Sequence, residues 1–228
     1  MTGGSDVLDD IRAALAPHGI FLRGCVRFSE GEEGPSLTNG RRARSVVLLG
    51  NIGGSVWEPF SRWREDHAGI ENPLDEWSKS LIRPLAARLG ATAYFPSDPP
   101  WQPFQQWAMR AEGLRPSPLG ILIHPVYGLW HGYRGALGLA EAIESGDAVA
   151  GEHPCDRCRD KPCLTTCPAG AISAEGFDVG ACRSHLRSGE GRGGCLGGGC
   201  LARAACPVGL EYRYPPAQLG FHMAALDL

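Results

Sequence analysis

Eight of the nine cysteines stand after residue 150, in two groups that each close on Cys-Pro, and this placement constrains the fold more than any other feature of the chain. The first group is Cys155, Cys158, Cys163 and Cys167 followed by Pro168, a C-x2-C-x4-C-x3-C-P spacing. The second is Cys182, Cys195, Cys200 and Cys206 followed by Pro207. Three thiolates on a tight loop can each grip one iron of a cubane while the backbone wraps it, and a fourth that leaves on a proline-started helix reaches a second cluster. The spacing reads as an iron–sulfur framework.

The first motif resembles that of iron–sulfur electron-transfer subunits, a wider variant of the simple bacterial ferredoxin run. By the crossing rule of two-cluster ferredoxins, Cys155, Cys158, Cys163 and Cys206 would hold one [4Fe-4S] cluster, and Cys167, Cys182, Cys195 and Cys200 the other. The second group is looser, and its gaps also suit one cluster with spare thiols, a zinc site or disulfides. Zinc sites usually pair two C-x2-C knuckles, and this chain has a single one. Cys25, alone in the N-terminal part, reads as a buried small hydrophobe.

With 228 residues, 43% of them hydrophobic and 21% charged, the chain can bury a core of its own. One main domain over residues 1–150 and a small one over 151–228 are expected. No apolar run approaches a membrane span, and Asp6, Asp9 and Asp10 near the start are unlike a signal peptide. A cytoplasmic, reducing location is therefore expected, which suits thiolates that await iron. Basic and acidic residues nearly balance, 22 against 25, without a basic stripe, so nucleic-acid binding is not expected.

The N-terminal region reads as alternating helices and strands. Val7, Leu8, Ile11 and Leu15 fall at helical spacing, and Ser45–Gly50 is an apolar run that predicts a buried strand. A turn with Gly53 and Gly54 follows, and Ser55 with Glu58 predicts a capping box. Free backbone N–H groups in such a turn suit an anionic part of a ligand, although a plain tight turn is equally compatible. Helices are expected from Asn72-Pro73 to Arg88, with Pro84 inside, and over Phe104–Glu112. Further strands are expected at Ala91–Phe95, at Leu119–His124 and from Trp130 to Leu139. The class is α+β, or α/β-like, around a mixed sheet. Gly189–Gly194 contains a literal G-x-G-x-x-G, but no strand precedes it, and it reads as a glycine-rich loop over a cluster.

Residues 118–137, PLGILIHPVYGLWHGYRGAL, gather His124, Tyr127, Gly128, Trp130 and Arg134 within a short span. Glycines for close approach, flat aromatics and directed polar groups are ingredients of a pocket for a large planar cofactor. The run Ile123-His124-Pro125, with Tyr127, Gly128, Trp130, Arg134 and Gly135, resembles the signature of cobalamin-processing CblC-type proteins. VLLGNIGGSVWEPFSRW is similar to that family's early strand and helix. FDVGACRSHL, with Cys182, resembles a segment of epoxyqueuosine reductases, which, like reductive dehalogenases, join a corrinoid-binding domain to a two-cluster module.

The resemblance implies a nitroreductase-like N-terminal domain fused to a ferredoxin-like iron–sulfur domain. It implies a corrinoid-dependent oxidoreductase that binds cobalamin and reduces it, or a small-molecule substrate through it, with reductive removal of the upper ligand as one outcome. Gly53, Gly54, His124, Tyr127, Gly128, Trp130 and Arg134 would contact the cofactor. His124 and Asp98, in the turn after Tyr94-Phe95, are the catalytic candidates. His124 equally suits a core histidine satisfied by backbone groups, and Asp98 a turn residue. FMN is the alternative cofactor, since nitroreductase-like sheets bind it. A non-catalytic electron-transfer module docking a partner oxidoreductase is the other reading. Ferredoxin or flavodoxin would supply electrons.

Overall fold

The computed structural model describes residues 4–143 and 151–226. The boundary expected at residue 150 lies outside the described residues. The chain divides into two compact units, Met1–Gly113 with Gly132–Ala150, and Leu114–His131 with Gly151–Leu228. The fold is α+β.

Among the described residues the strands are β1 (Phe21–Arg27), β2 (Ser45–Ile52), β3 (Thr92–Tyr94), β4 (Arg115–Pro116), β5 (Leu122–Ile123) and β6 (His131–Leu139). The first unit holds a sheet of order β1-β2-β6-β3. β1 runs antiparallel to β2, and β3 to β6. The sheet is thus small and antiparallel, where the sequence pattern predicts a mixed one. Helices α1 (Gly4–Leu15), α2 (Trp57–Asp66), α3 (Pro73–Arg88) and α4 (Phe104–Glu112) complete this unit.

Its core follows from the predicted patterns. Val46 to Leu49 of β2 are at most 1% exposed, and Ile11 and Leu15 of α1 are equally buried. Each such aliphatic side chain contributes about 1.5–3 kcal/mol on burial. Cys25, on β1, is also buried, and burial pushes its thiol up to about 11.

Strand β1 escapes the sequence pattern because Arg23 and Gly24 interrupt it, and the register with β2 shifts between Leu22 and Cys25. Arg23 is 3% exposed. One guanidinium nitrogen donates to Asn51 O at 3.0 Å and another to Glu112 Oε2 at 2.9 Å. Tyr133 Oη donates to Glu112 Oε1 at 2.7 Å. A charge is tolerated inside the sheet because its partner is buried beside it and both carboxylate oxygens are engaged.

The capping box does not form. Helix α2 begins at Trp57 with Val56 as its N-cap and no side-chain cap. Ser55 Oγ instead donates to Gly19 O at 2.7 Å and accepts from Ile52 N, which ties the turn to the end of α1's loop.

The second unit carries the β4–β5 hairpin and short helices: α5 (Pro154–Arg157), α6 (Val179–Arg187), α7 (Gly189–Gly191), α8 (Leu201–Ala204) and α9 (Pro216–Ala224). The expected strand Leu119–His124 is only Leu122–Ile123, because Gly120 closes a turn onto Ser117 and His124 bridges Gly128. The expected glycine loop is helical: α7 leads into a π-helical turn, Arg192–Leu196, that carries Cys195. The apolar centre of this unit joins Leu119, Ile123, Leu129, Ile172 and Ala202 to Cys206.

Removing Glu112 leaves Arg23 buried without its carboxylate. Glu112→Ala is expected to lower stability by about 3–5 kcal/mol, read from the midpoint of urea unfolding, and Glu112→Gln by less.

Candidate metal centres

All eight C-terminal cysteines lie in the second unit. Cys155, Cys158, Cys163 and Cys206 line one small apolar cavity of about 20 Å³, walled also by Pro118, Ile123 and Val208. The Cys155 thiol is pushed up to about 11, first by burial and then by the charges of Cys206, Cys163 and Cys158. Cys182 is raised by burial and by Cys200, Cys167 and Cys195. A cationic iron core would relieve repulsion of this kind.

Local backbone structure prepares several sulfurs. Burial raises Cys200, and the backbone N–H groups of Arg203 and Ala202, at the start of α8, partly offset it. The N–H of Val208 does the same for Cys206, and those of Cys163 and Leu164 for Cys163. N–H groups aimed at sulfur stabilise added negative charge. Lys161 lies in the left-handed region with φ 40°, lines the first cavity and lowers Cys163 by its charge. Among the described residues no three His, Cys, Asp or Glu side chains converge closely enough to hold a single ion. Cys155, Cys158, Cys163 and Cys206 do share a cavity, and a cubane would take one thiolate on each of four irons. The donor set fits that group.

The expected cofactor contacts divide between the units, Gly53, Gly54 and Arg134 in the first and His124, Tyr127, Gly128 and Trp130 in the second, and the catalytic candidate Asp98 belongs to the first. His124 is 5% exposed, and its Nδ1 accepts from the backbone N–H groups of Val126 and Tyr127 at 3.0 and 3.1 Å. Its ring stacks on Tyr127 with centroids 4.1 Å apart, and Tyr127 meets Tyr212 edge-on at 5.0 Å. Two glycines allow this turn to press on the chain after Cys206-Pro207. A Cβ on Gly128 would meet Val208 O at 2.0 Å, and one on Gly209 would meet the Tyr127 carbonyl carbon at 2.4 Å. His124, Tyr127 and Gly128 therefore brace the first cysteine cavity from behind.

Trp130 is 1% exposed and packs edge-on against Tyr214. Gly53 adopts φ 54°, but the N–H groups of Ile52, Ser55 and Trp57 are used within its turn. Arg134 is half-buried on β6.

Asp98 lines a cavity of about 620 Å³ in the first unit, together with Arg83, Thr38, Tyr94, Phe95 and Pro99. Its oxygens pair with Lys79 at 2.7 Å and Arg83 at 3.1 Å. The Lys79 hydrogen bond, reinforced by the Lys79 and Arg83 charges, holds its carboxyl below the usual range. An ionised, doubly paired Asp98 is a poor proton donor at neutral pH.

Sequence reasoning passed over Glu112, Arg23, Lys161 and Arg203. A signal for Glu112 was available: Phe104, Trp107, Ala108 and Ala111 form the buried stripe of α4, and Glu112 falls on the same stripe. No protein-family model matches the chain, and no curated protein matches it either.

His124→Ala strips the shared acceptor from two N–H groups. It is expected to destabilise the protein by about 1–3 kcal/mol in urea unfolding, with His124→Asn losing less. For Asp98 the folded-state pKa is depressed, so its contribution is present above the unfolded carboxylate pKa and lost as pH falls through the folded value. Asp98→Asn is expected to cost about 0.5 kcal/mol at pH 7 and nothing in acid, in parallel urea titrations across pH.

Proposed function

We propose that this chain is a two-[4Fe-4S] redox protein, a nitroreductase-like unit joined to a ferredoxin-like one, that delivers electrons to a corrinoid. The single observation that carries the iron–sulfur reading is the cavity shared by Cys155, Cys158 and Cys163 of the first motif with Cys206 of the second. Independent support comes from the mutual charge effects among Cys182, Cys200, Cys167 and Cys195. When bound, clusters of this type supply one-electron transfer at potentials that reach about −400 mV. The chain's own part is to hold each iron by one thiolate, to aim N–H groups at sulfur and to wall the first site with Pro118, Ile123 and Val208 against water.

The corrinoid half of the reading rests on the resemblance of Ile123-His124-Pro125, Tyr127, Gly128, Trp130, Arg134 and Gly135 to CblC-type proteins. Reductive removal of an upper ligand, or reduction of a small molecule, is the activity this implies, with ferredoxin or flavodoxin as donor. A second reading, an electron-transfer module that serves a partner oxidoreductase, is favoured by a specific observation. His124, Tyr127 and Trp130 are engaged in the packing of the cysteine unit itself.

Anaerobic reconstitution is expected to load about eight irons and eight sulfides per chain, as two cubanes require. Cys206→Ser and Cys182→Ser are each expected to retain roughly half of that iron, since each removes a ligand of a different quartet. Titration of the loaded protein with cob(II)alamin, followed by EPR, separates the two functional readings. A shift to the base-off signal supports the corrinoid reductase, and an unchanged base-on signal leaves the electron-transfer module.

A further inference from the structure

Helix α8 is the link between the quartets, since Cys200 precedes it and Cys206 follows it. Its third residue, Arg203, is held in an unusual way. The guanidinium lies 4.5 Å from the Trp130 ring centre and 4.9 Å from that of Tyr214, and those rings meet edge-on at 5.5 Å. One terminal nitrogen donates to Leu129 O at 2.5 Å. The Nε atom is buried with no hydrogen-bond partner, and so is Trp130 Nε1. No carboxylate pairs with Arg203 among the described residues. A cation in such a place is held by ring faces and one carbonyl, which leave its charge uncompensated. Leu129, whose carbonyl it binds, packs in the same apolar cluster as Cys206.

A cubane with four thiolates carries a net charge of about −2 when oxidised, and reduction makes it more negative. A fixed cation nearby favours the reduced state and so raises the potential. We infer that Arg203 is a positioning residue for the paired clusters: clamped on Trp130 and Tyr214 between Cys200 and Cys206, it supplies the positive charge that sets their reduction potentials. The inference rests on the two-cluster reading given above. Arg213 also approaches the Trp130 ring, at 5.8 Å, but it is exposed, where water and salt screen its charge.

The test is an anaerobic redox titration of the loaded full chain, monitored by EPR, with dithionite giving one electron to each [4Fe-4S] centre from the 2+ to the 1+ state. Iron and sulfide are counted on every sample. Arg203→Met keeps an apolar stem on Trp130 and removes the charge, and Arg203→Lys keeps the charge and loses the planar fork. With wild-type iron content, Arg203→Met is expected to show a reduced-to-oxidised ratio about tenfold lower at a fixed potential, a negative shift of about 59 mV for a one-electron couple. Arg203→Lys is expected to restore most of the wild-type midpoint, and Arg213→Met to leave it unchanged.

An Arg203→Met midpoint equal to the wild type at full iron content overturns the inference. Equal shifts in the Met and Lys variants do so too, because the effect would then be one of packing. If Arg203→Met fails to hold iron, Arg203→Lys decides: a loaded protein with the wild-type midpoint supports the role of charge, and loss of iron in both variants assigns Arg203 to packing alone. A wild-type chain that takes up no clusters overturns the two-cluster reading first, and the inference with it.

Discussion

Cys206 has to stand beside Cys155, Cys158 and Cys163, and that closure governs the second unit. It pins the far end of the cysteine-rich segment back onto its beginning, across α6, α7 and α8. The unit has little else to hold it. Its named helices are short, its hairpin pairs strands of two residues, and its apolar centre includes a thiol among a few aliphatic side chains. A domain so poor in regular hydrogen bonding and apolar area ordinarily draws stability from a metal or from disulfides. The turn at His124–Gly128 belongs to the same closure, because it supplies the surface on which Val208 and Gly209 rest.

The first unit follows a different logic. Its sheet is sealed by aliphatic residues on β2, and the buried charges of Arg23 and Glu112 are joined, with Tyr133, in one network in which each has its partner within hydrogen-bonding distance. Polar groups near the cavity bordered by Asp98 are likewise paired to one another. Pairing thus holds Glu112 and Asp98 in this unit, whereas the second unit crowds thiols together.

Much of this was legible in the sequence where one physical signal dominated. Helix α4 has the predicted bounds because its apolar stripe and its stop at Gly113 agree, and β2 starts where predicted, at Ser45, but runs two residues further, to Ile52, because its apolar run is buried. Spacing suggests that Cys206 returns to the first motif, and Cys206 does line one cavity with Cys155, Cys158 and Cys163. What could not be read locally depended on distant partners. Strand β1 is invisible without Glu112 to neutralise Arg23. Ser55 has the right neighbour for a capping box, yet Gly19 offers its hydroxyl a better use. His124 sits in a motif suggestive of a cofactor, while its ring nitrogen is already occupied by the turn it closes.

The lone thiol of Cys25 gives the arrangement a chemical consequence. Attack on a disulfide or a persulfide needs thiolate and access. Burial on β1 and a pKa near 11 deny Cys25 both. The odd sulfur is thereby removed from thiol exchange, so an even set of eight remains for oxidants and sulfur donors to act on. All eight of these thiols lie in one unit, so oxidation can pair them with one another. Damage by oxygen then takes the form of cross-links inside the cysteine-rich segment, which reductant can undo, rather than bridges that trap the sheet in a wrong fold.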